Sequence, residues 1–250
     1  MGYVRTEGIV IKEVNLGEAD KIITLLSKEH GKISLVAKGA RRYKSKLAAG
    51  TQFLCYSKFL LFKGRNLYTI NGCELIESFQ EVGNDLVKLT YAAHLAELVY
   101  DTAQENQPSA RTLKLFLNTL YYLVKTNRSS ELITKIFDLR YLCILGYAPY
   151  VKGCINCMNE SPENLAFSFK KCGFVCCNEK CMSEDDKDAI KLSSAAAKAI
   201  RHIVQSNINV LFNFELSEPI LKELTTVIDK FLREMLEKDY TKLKFLKDIK

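Results

Sequence analysis

The stretch Lys21-Ile-Ile-Thr-Leu-Leu-Ser-Lys-Glu29, His30-Gly31, Lys32-Ile-Ser-Leu-Val-Ala-Lys38 decides the fold of the N-terminal part. Two short runs rich in β-branched and aliphatic residues flank a His-Gly pair, which reads as an antiparallel hairpin around a tight turn. Working outward, Tyr3–Lys12 carries Val4, Ile9, Val10 and Ile11 and reads as a preceding strand. Downstream, Gln52–Phe62 and Arg65–Ile70 are separated by Lys63-Gly64, and Cys73–Ile76 continues the last of them. Five short strands in so compact a segment predict a small barrel, because closing the sheet removes its exposed edges. An OB-fold is the leading candidate and an SH3-like barrel the alternative.

From Asn84 the period changes from two to that of a helix. Leu86, Leu89, Ala93, Ala96 and Tyr100 stand at helical spacing, with Asn84 or Asp85 suited to cap the start. Pro108-Ser109 opens a second helix with Leu113, Leu117, Leu120 and Val124 on its apolar face. A third spans Glu131–Leu145 and ends at Gly146, with Pro149 beyond. After a cysteine-rich insert come Ser194–Gln205 and a helix opened by Ser217-Glu218-Pro219. The stripe of that last helix is Leu221, Leu224, Ile228, Phe231 and Met235. The fold class is therefore α+β and multi-domain. Residues 1–80 are expected to form the barrel domain and residues 81–250 a helical domain, into which a four-cysteine module at 153–182 is inserted.

Charge is distributed unevenly. Between Glu29 and Glu74 there is no acid, but there are nine cations: Lys32, Lys38, Arg41, Arg42, Lys44, Lys46, Lys58, Lys63 and Arg65. The chain's net charge is +7, and outside this segment 27 Lys and Arg face all 29 Asp and Glu. Such a block points to a polyanionic partner. Five of the cations fall in Lys38-Gly-Ala-Arg-Arg-Tyr-Lys-Ser-Lys46, directly after a strand. Cations on a flexible loop suit phosphate contacts, and Tyr43 suits stacking on a base. Lys63 and Arg65 join this set by charge. Phe53, Tyr56, Phe59, Phe62 and Tyr68 read first as core, since both faces of their strands are apolar. Nucleic acid is favoured over an anionic membrane surface as the polyanionic partner. No apolar run approaches the roughly 18–20 residues of a spanning helix, and nine cysteines without a signal peptide read as a reducing cytosol.

Six of nine cysteines lie between Gly153 and Met182. Cys154-Ile-Asn-Cys157 is a C-x2-C knuckle whose thiolates can converge on one ion. A second pair is Cys176 or Cys177 with Cys181. Four thiolates around one ion predict a structural Zn²⁺ that holds a segment too short to build its own core. An iron–sulfur cluster and a redox dithiol are the alternatives. Cys55, Cys73 and Cys143 sit in apolar contexts and read as small buried residues. His30, His94 and His202 are scattered, and no phosphate loop, nucleophile elbow or metalloprotease sequence accompanies them, so the chain is not read as an enzyme.

The run Gly17-Glu-Ala-Asp20, His30-Gly31, Ala37-Lys-Gly-Ala-Arg-Arg42 and Lys44-Ser45 resembles the N-terminal signature of the RecO family of bacterial recombinational repair proteins. So does Leu145-Gly-Tyr-Ala-Pro149 ahead of the knuckle, followed by Phe167-Ser168 and a run of glycine and cysteine. The resemblance is collinear from the first strand through the cysteine module. It implies an OB-fold, a helical domain and a zinc module. It also implies binding of single- and double-stranded DNA, strand annealing, and action with RecR to help RecA replace single-strand-binding protein, in the bacterial cytoplasm at the nucleoid. Lys38, Arg41, Arg42, Lys44 and Lys46 match the basic motif and are carried over as DNA contacts. Family members with zinc commonly show two C-x2-C pairs and a Gly-Gly before the third cysteine, whereas here Cys172-Gly173 stands there and the second pair is stretched. Counting from Phe167-Ser168 makes Cys154, Cys157, Cys176 and Cys181 the ligands, with Cys177 as the alternative third. An RNA-binding barrel and a zinc-containing protein-interaction adaptor are the competing functions.

Overall fold

The computed structural model describes residues 2–64, 67–160, 164–244 and 246. Its elements form two compact units, residues 1–127 with 242–250, and residues 128–241.

The first unit is built on five strands: β1 (Tyr3–Leu16), β2 (Asp20–Ser27), β3 (Gly31–Ala37), β4 (Cys55–Lys63) and β5 (Tyr68–Ser78). They close into a barrel in the order β1-β2-β3-β5-β4, with β4 pairing back on β1. All pairings are antiparallel except β3 with β5. The alternation in β3 is strict: Ile33, Leu35 and Ala37 point inward. They join Val10, Ile23, Leu25, Phe59, Leu61 and Ile70 in one core.

Several boundaries differ from the sequence expectation. β1 runs on to Leu16, because a register shift between Val10 and Lys12 bends it and lets pairing with β2 continue to Leu16↔Asp20. β4 begins at Cys55, since Leu54 has φ 61° and breaks the extended run. β5 takes in Cys73–Ile76; the expected start at Arg65 lies outside the described residues.

Two helices complete this unit, α1 (Leu86–Thr102) and α2 (Ala110–Lys125). Asp85 caps α1, its carboxylate accepting from the N–H groups of Val87 and Lys88 at 2.8 and 3.1 Å. The expected apolar stripe of α1 is corrected. Leu86 is exposed, Leu89, Ala93 and Tyr100 are half-buried, and the buried line is Ala92, Leu95, Ala96 and Val99, with His94 and Leu98 beside it. The helix packs against β1, α2 and the turn at Lys242–Lys244, so no single stripe describes it. In α2, Leu113 and Leu120 are buried as expected, while Leu117 and Val124 are half-buried beside Leu115, Phe116, Thr119 and Leu123. Ser109 does not cap α2. Its hydroxyl donates to the carbonyl of Ser27 and its N–H to that of Lys28, which anchors the start of α2 to the β2–β3 turn. Lys242 returns the chain to α1, with Nζ 3.3 Å from Glu97.

The second unit holds α3 (Ser130–Ile144), α4 (Ser194–Gln205) and α5 (Glu218–Leu236), each packed on the other two. It also holds a three-stranded sheet of order β7-β6-β8, from β6 (Leu165–Ser168), β7 (Gly173–Cys176) and β8 (Ile190–Leu192). Ser129 and Ser193 cap α3 and α4 with their side chains, and Pro219 sits in the first turn of α5. α5 buries Leu224, Val227, Ile228, Phe231 and Leu232, each contributing about 1.5–3 kcal/mol. Leu221 and Met235 are half-buried. Phe167 of β6 meets Phe231 edge-on at 5.1 Å, tying the small sheet to α5. Between α3 and α5, the fully buried Lys135 Nζ donates to Asp138 at 2.6 Å and Asp229 at 2.7 Å. Those two carboxylates outweigh burial and hold the ammonium charged well above the ordinary lysine range. No described helix is long and apolar enough to cross a membrane.

Candidate nucleic-acid interface and metal centre

Residues 38–51 follow β3 as a chain of tight turns rather than the flexible loop expected. Gly39 has φ +66°, where a side chain is strained, and its N–H donates to Asp20 Oδ1 at 2.7 Å. The Arg41 N–H reaches the Ala19 carbonyl at 2.9 Å, and the Arg41 guanidinium reaches the Gly17 carbonyl at 2.9 Å. Arg42, Ser45 and Ala48 continue the turns through bonds to Gly39, Arg42 and Ser45. Ala40 is buried, and Leu47 packs against the barrel core. The 17–20 and 37–42 motifs are thus halves of one structure.

With Ala40 and Leu47 inward, every cation of this segment faces solvent. Lys38, Arg41, Arg42, Lys44 and Lys46 are all exposed, and Tyr43 is 98% exposed in their midst. Among the described residues none of these five cations pairs with a carboxylate. Lys63 ends β4 as an exposed residue opposite Tyr68, with Nζ 6.0 Å from that ring. Arg65 lies outside the described residues.

Two of the nine cations have neighbours elsewhere on the barrel unit. Lys32 donates to the Tyr100 carbonyl at 2.7 Å, and Lys58 lies in register with Glu7 and Glu74 on its flanking strands. The barrel aromatics are also committed. Phe59 is buried, Phe62 meets Tyr3 edge-on, and Phe53 and Tyr68 are half-buried. Tyr56 donates to Glu7 at 2.9 Å; burial and that carboxylate push its phenol up to about 12.

The cysteine module is assembled by two knuckles and the hairpin between them. α3 ends in a paired-bond cap, with Gly146 N–H on the Cys143 carbonyl and Tyr147 N–H on that of Leu142. Tyr150 then bonds both Cys172 and Phe174, laying the chain beside β7. Cys154 and Cys157 follow, and the amide of Asn156 donates to the Cys181 carbonyl, linking the knuckles. Pairing of Leu165 with Cys176 fixes the face on which Cys176 points, and the next residue, Cys177, necessarily turns away. The Sγ atoms of Cys154, Cys157, Cys176 and Cys181 all lie within 4.8 Å of one another.

These four thiols fit a tetrahedral ion. Ligand bonds of about 2.3 Å imply sulfur–sulfur edges of about 3.8 Å, and Cys157 and Cys176 stand 3.7 Å apart. Burial raises the Cys154 thiol, but N–H groups of Cys157, Cys176 and Asn156 aimed at it win and bring it down to about 6. Burial and the neighbouring sulfurs push Cys181 up to about 11. Cys177 is half-buried and packs on the outside of the cluster. Cys172 occupies a left-handed turn, φ +53°, the position at which a glycine would carry no strain.

The description "Recombination protein O N terminal" matches residues 1–79, and "Recombination protein O C terminal" matches residues 83–244. The chain belongs to the recombination protein O family. A protein of Acetivibrio thermocellus described as DNA repair protein RecO is 55% identical over 249 residues, covering 100% of this chain and 98% of that one. RecO proteins of Thermoanaerobacter sp. strain X514 and Caldicellulosiruptor bescii are 34% and 32% identical, each over 100% of this chain and 99% and 100% of their own. Membership places the chain in DNA repair and recombination, as a mediator rather than an enzyme.

Within this RecO-family chain, two supporting residues escape a reading by sequence. Asp20 looks like an ordinary exposed acid, yet it holds the basic turn. Asp186 is buried and accepts from Ser168 at 2.6 Å, Lys171 at 2.6 Å, and the N–H and hydroxyl of Ser183 at 2.9 Å. Burial works against its charge, but those donors prevail and hold it well below the ordinary carboxylate range. The Phe167-Ser168 motif therefore has two jobs: Phe167 packs on α5 and Ser168 fastens the turn that follows Cys181.

Proposed function

We propose that this protein is a DNA-binding recombination mediator of the RecF-type repair pathway. It binds single- and double-stranded DNA, anneals complementary strands, and with RecR helps RecA load onto DNA covered by single-strand-binding protein. The observation that carries this reading is the set of five exposed cations, without a carboxylate partner among the described residues, that surrounds Tyr43 on a pinned turn. These cations neutralise phosphates and release counterions, which gives affinity without sequence preference. Tyr43 offers a stacking face that any base can use. Neutralising phosphates on two strands lowers their repulsion, so base pairing proceeds. Lys63 adds a further exposed cation to this reading, and Arg65, which lies outside the described residues, is assigned to it by charge alone.

The closed order β1-β2-β3-β5-β4 supports reading the barrel as an OB-fold. By function the chain divides into a nucleic-acid-binding domain at 1–80 and a helical domain at 81–250. Residues 153–182 form a zinc module in which Cys154, Cys157, Cys176 and Cys181 hold a structural Zn²⁺, whose chemistry there is cross-linking only. The protein works in the bacterial cytoplasm, at the nucleoid and away from membranes.

Annealing of complementary strands coated with single-strand-binding protein, with and without RecR, tests the role. Acceleration by this protein, and RecA loading that requires RecR, is the expected result. Failure to bind or anneal DNA overturns it. A matched RNA oligonucleotide that outcompetes DNA would make the barrel an RNA-binding one.

A further inference from the structure

A second acid-free stretch lies outside the barrel. From Asn106 to Ser130 there is no Asp or Glu, while Arg111, Lys114, Lys125 and Arg128 are present. The structure separates these four. Lys125 is held by Glu81 at 2.7 Å, and Arg128 is spent on the carbonyl of Phe212. Arg111 and Lys114 are exposed, and among the described residues neither has a carboxylate within ion-pair distance.

Both lie on the side of α2 that faces away from its core contacts. Arg111, Lys114, Asn118, Tyr121 and Lys125 follow one another at intervals of three and four residues, the spacing of a single helix face. The buried Leu113, Phe116, Leu120 and Leu123 occupy the other side. At 1.5 Å per residue the face is about 20 Å long, a length matching about six stacked nucleotides of one strand. Tyr121 is 55% exposed and meets Tyr122 edge-on, which leaves its ring available as a stacking platform. Exposed Lys28 extends the face at its start, because Ser109 fastens α2 to the turn that carries it. Glu29 and Glu105 flank that turn. Glu29 accepts from Thr6 at 2.6 Å, and Glu105 bridges to Gly31 and Lys32 through its backbone.

We propose that the outward face of α2 is a second nucleic-acid contact, distinct from the basic turn and able to hold a second strand. Asp20 and Gly39 stand at one end of the β2–β3 hairpin, while Ser27 and Lys28, to which α2 is fastened, stand at the other. Six residues of strand separate these ends, about 20 Å. One barrel unit thereby carries two cationic surfaces, each with an exposed tyrosine, at opposite ends of one rigid hairpin. Annealing needs two strands held at once by one protein, and the basic turn alone offers one such platform. The inference rests on the proposed role of that turn in DNA binding.

The test uses the full chain, with oligo-dT strands as the probe of binding and a complementary pair of oligonucleotides as the probe of annealing. Saturate the protein with one labelled strand, then titrate a second strand carrying a different label. Wild type is expected to take both. Arg111→Gln/Lys114→Gln, which keeps good helix formers at exposed sites, is expected to hold the first strand normally, to bind the second at least tenfold more weakly, and to anneal at least tenfold more slowly. Its salt slope for the second strand falls by about 1.4, two contacts at about 0.7 each. Circular dichroism and melting confirm that the variant is folded, and Arg111→Glu/Lys114→Glu deepens the defect if the face is electrostatic. Unchanged second-strand binding and annealing in both variants overturn the proposal. Failure of the parent reading looks different: Lys38→Ala/Arg41→Ala/Arg42→Ala would then leave binding of the first strand intact.

Discussion

Asp20 Oδ1 accepts the N–H of Gly39 at 2.7 Å, so an acid is what holds the most basic turn of the chain in place. The two roles of Asp20 act in opposite directions. Its charge repels phosphate, while its hydrogen bond fixes the turn from which Lys38, Arg41 and Arg42 project.

If anchoring dominates, Asp20→Ala weakens DNA binding about five- to tenfold even though it makes the surface more positive. That range corresponds to one charge-assisted hydrogen bond, about 1.5 kcal/mol or less after screening. Asp20→Asn, which keeps the accepting oxygen, stays close to wild type. Fluorescence anisotropy with a short single strand decides the matter, and tighter binding by Asp20→Ala would show that the turn needs no anchor.

The triple variant Lys38→Ala/Arg41→Ala/Arg42→Ala removes three phosphate contacts. Its salt dependence on single strands is expected to fall by about 2 in slope, since each contact contributes about 0.7. A Tyr43→Ala variant should instead lose about 1–3 kcal/mol with the slope unchanged, because stacking releases no counterions. Affinities measured across a range of salt separate the two kinds of contact.

Cys176→Ser and Cys177→Ser differ by one residue and are expected to differ completely. The first loses stoichiometric zinc and lowers the melting temperature of the second unit, while the second keeps both. Metal analysis of protein purified without added metal gives the answer. Zinc retained by Cys176→Ser and lost by Cys177→Ser would move the third ligand. Cys172→Gly, which relieves a left-handed side chain, should keep its zinc and remain within about 1 kcal/mol of wild type.

Asp186 has its folded pKa held down, so it contributes stability above the ordinary aspartate range and loses it as pH falls toward the folded value. Asp186→Asn is therefore expected to cost about 1.5–3 kcal/mol at pH 7. The gap between wild type and variant should close progressively below about pH 4. Denaturation midpoints at a series of pH values check the sign, and a gap that widens in acid would contradict it.

Lys135 is buried between two carboxylates, and removing it leaves both without their cation. Lys135→Ala should destabilise the second unit by about 3–5 kcal/mol. Lys135→Met/Asp138→Leu, which removes the buried pair and leaves only the half-exposed Asp229, should recover most of that loss. Urea titration of the two variants measures the difference.

The basic turn was legible because the absence of acids over a long interval is a property of composition, visible without coordinates. The helices at Glu218 and Ser194 were legible because each buries one face, so helical spacing of apolar residues and burial coincide. α1 was misread for the opposite reason: β1, α2 and the turn at Lys242–Lys244 surround it, and Leu86 marks no core. Asp20 could not be found from the sequence, since its partner stands 19 residues away with no periodicity to connect them; for Asp186 only the local pairing with Ser183 follows from spacing, while Lys171 and Ser168 stand 15 and 18 residues away. The choice between Cys176 and Cys177 turned on strand alternation in β7, which spacing alone does not convey.

The return of Lys242 to α1 gives the polypeptide an unusual order of assembly. The second unit is spliced into the first, so the ribosome releases α3, the cysteine knuckles and α5 before it releases the turn that completes the packing of α1. A nascent chain can thus bring its four clustered cysteines together while the barrel unit still lacks that last piece. Because that closing contact joins Glu97 to Lys242, more than half the chain apart, it is expected to be the slowest to form and the first to open.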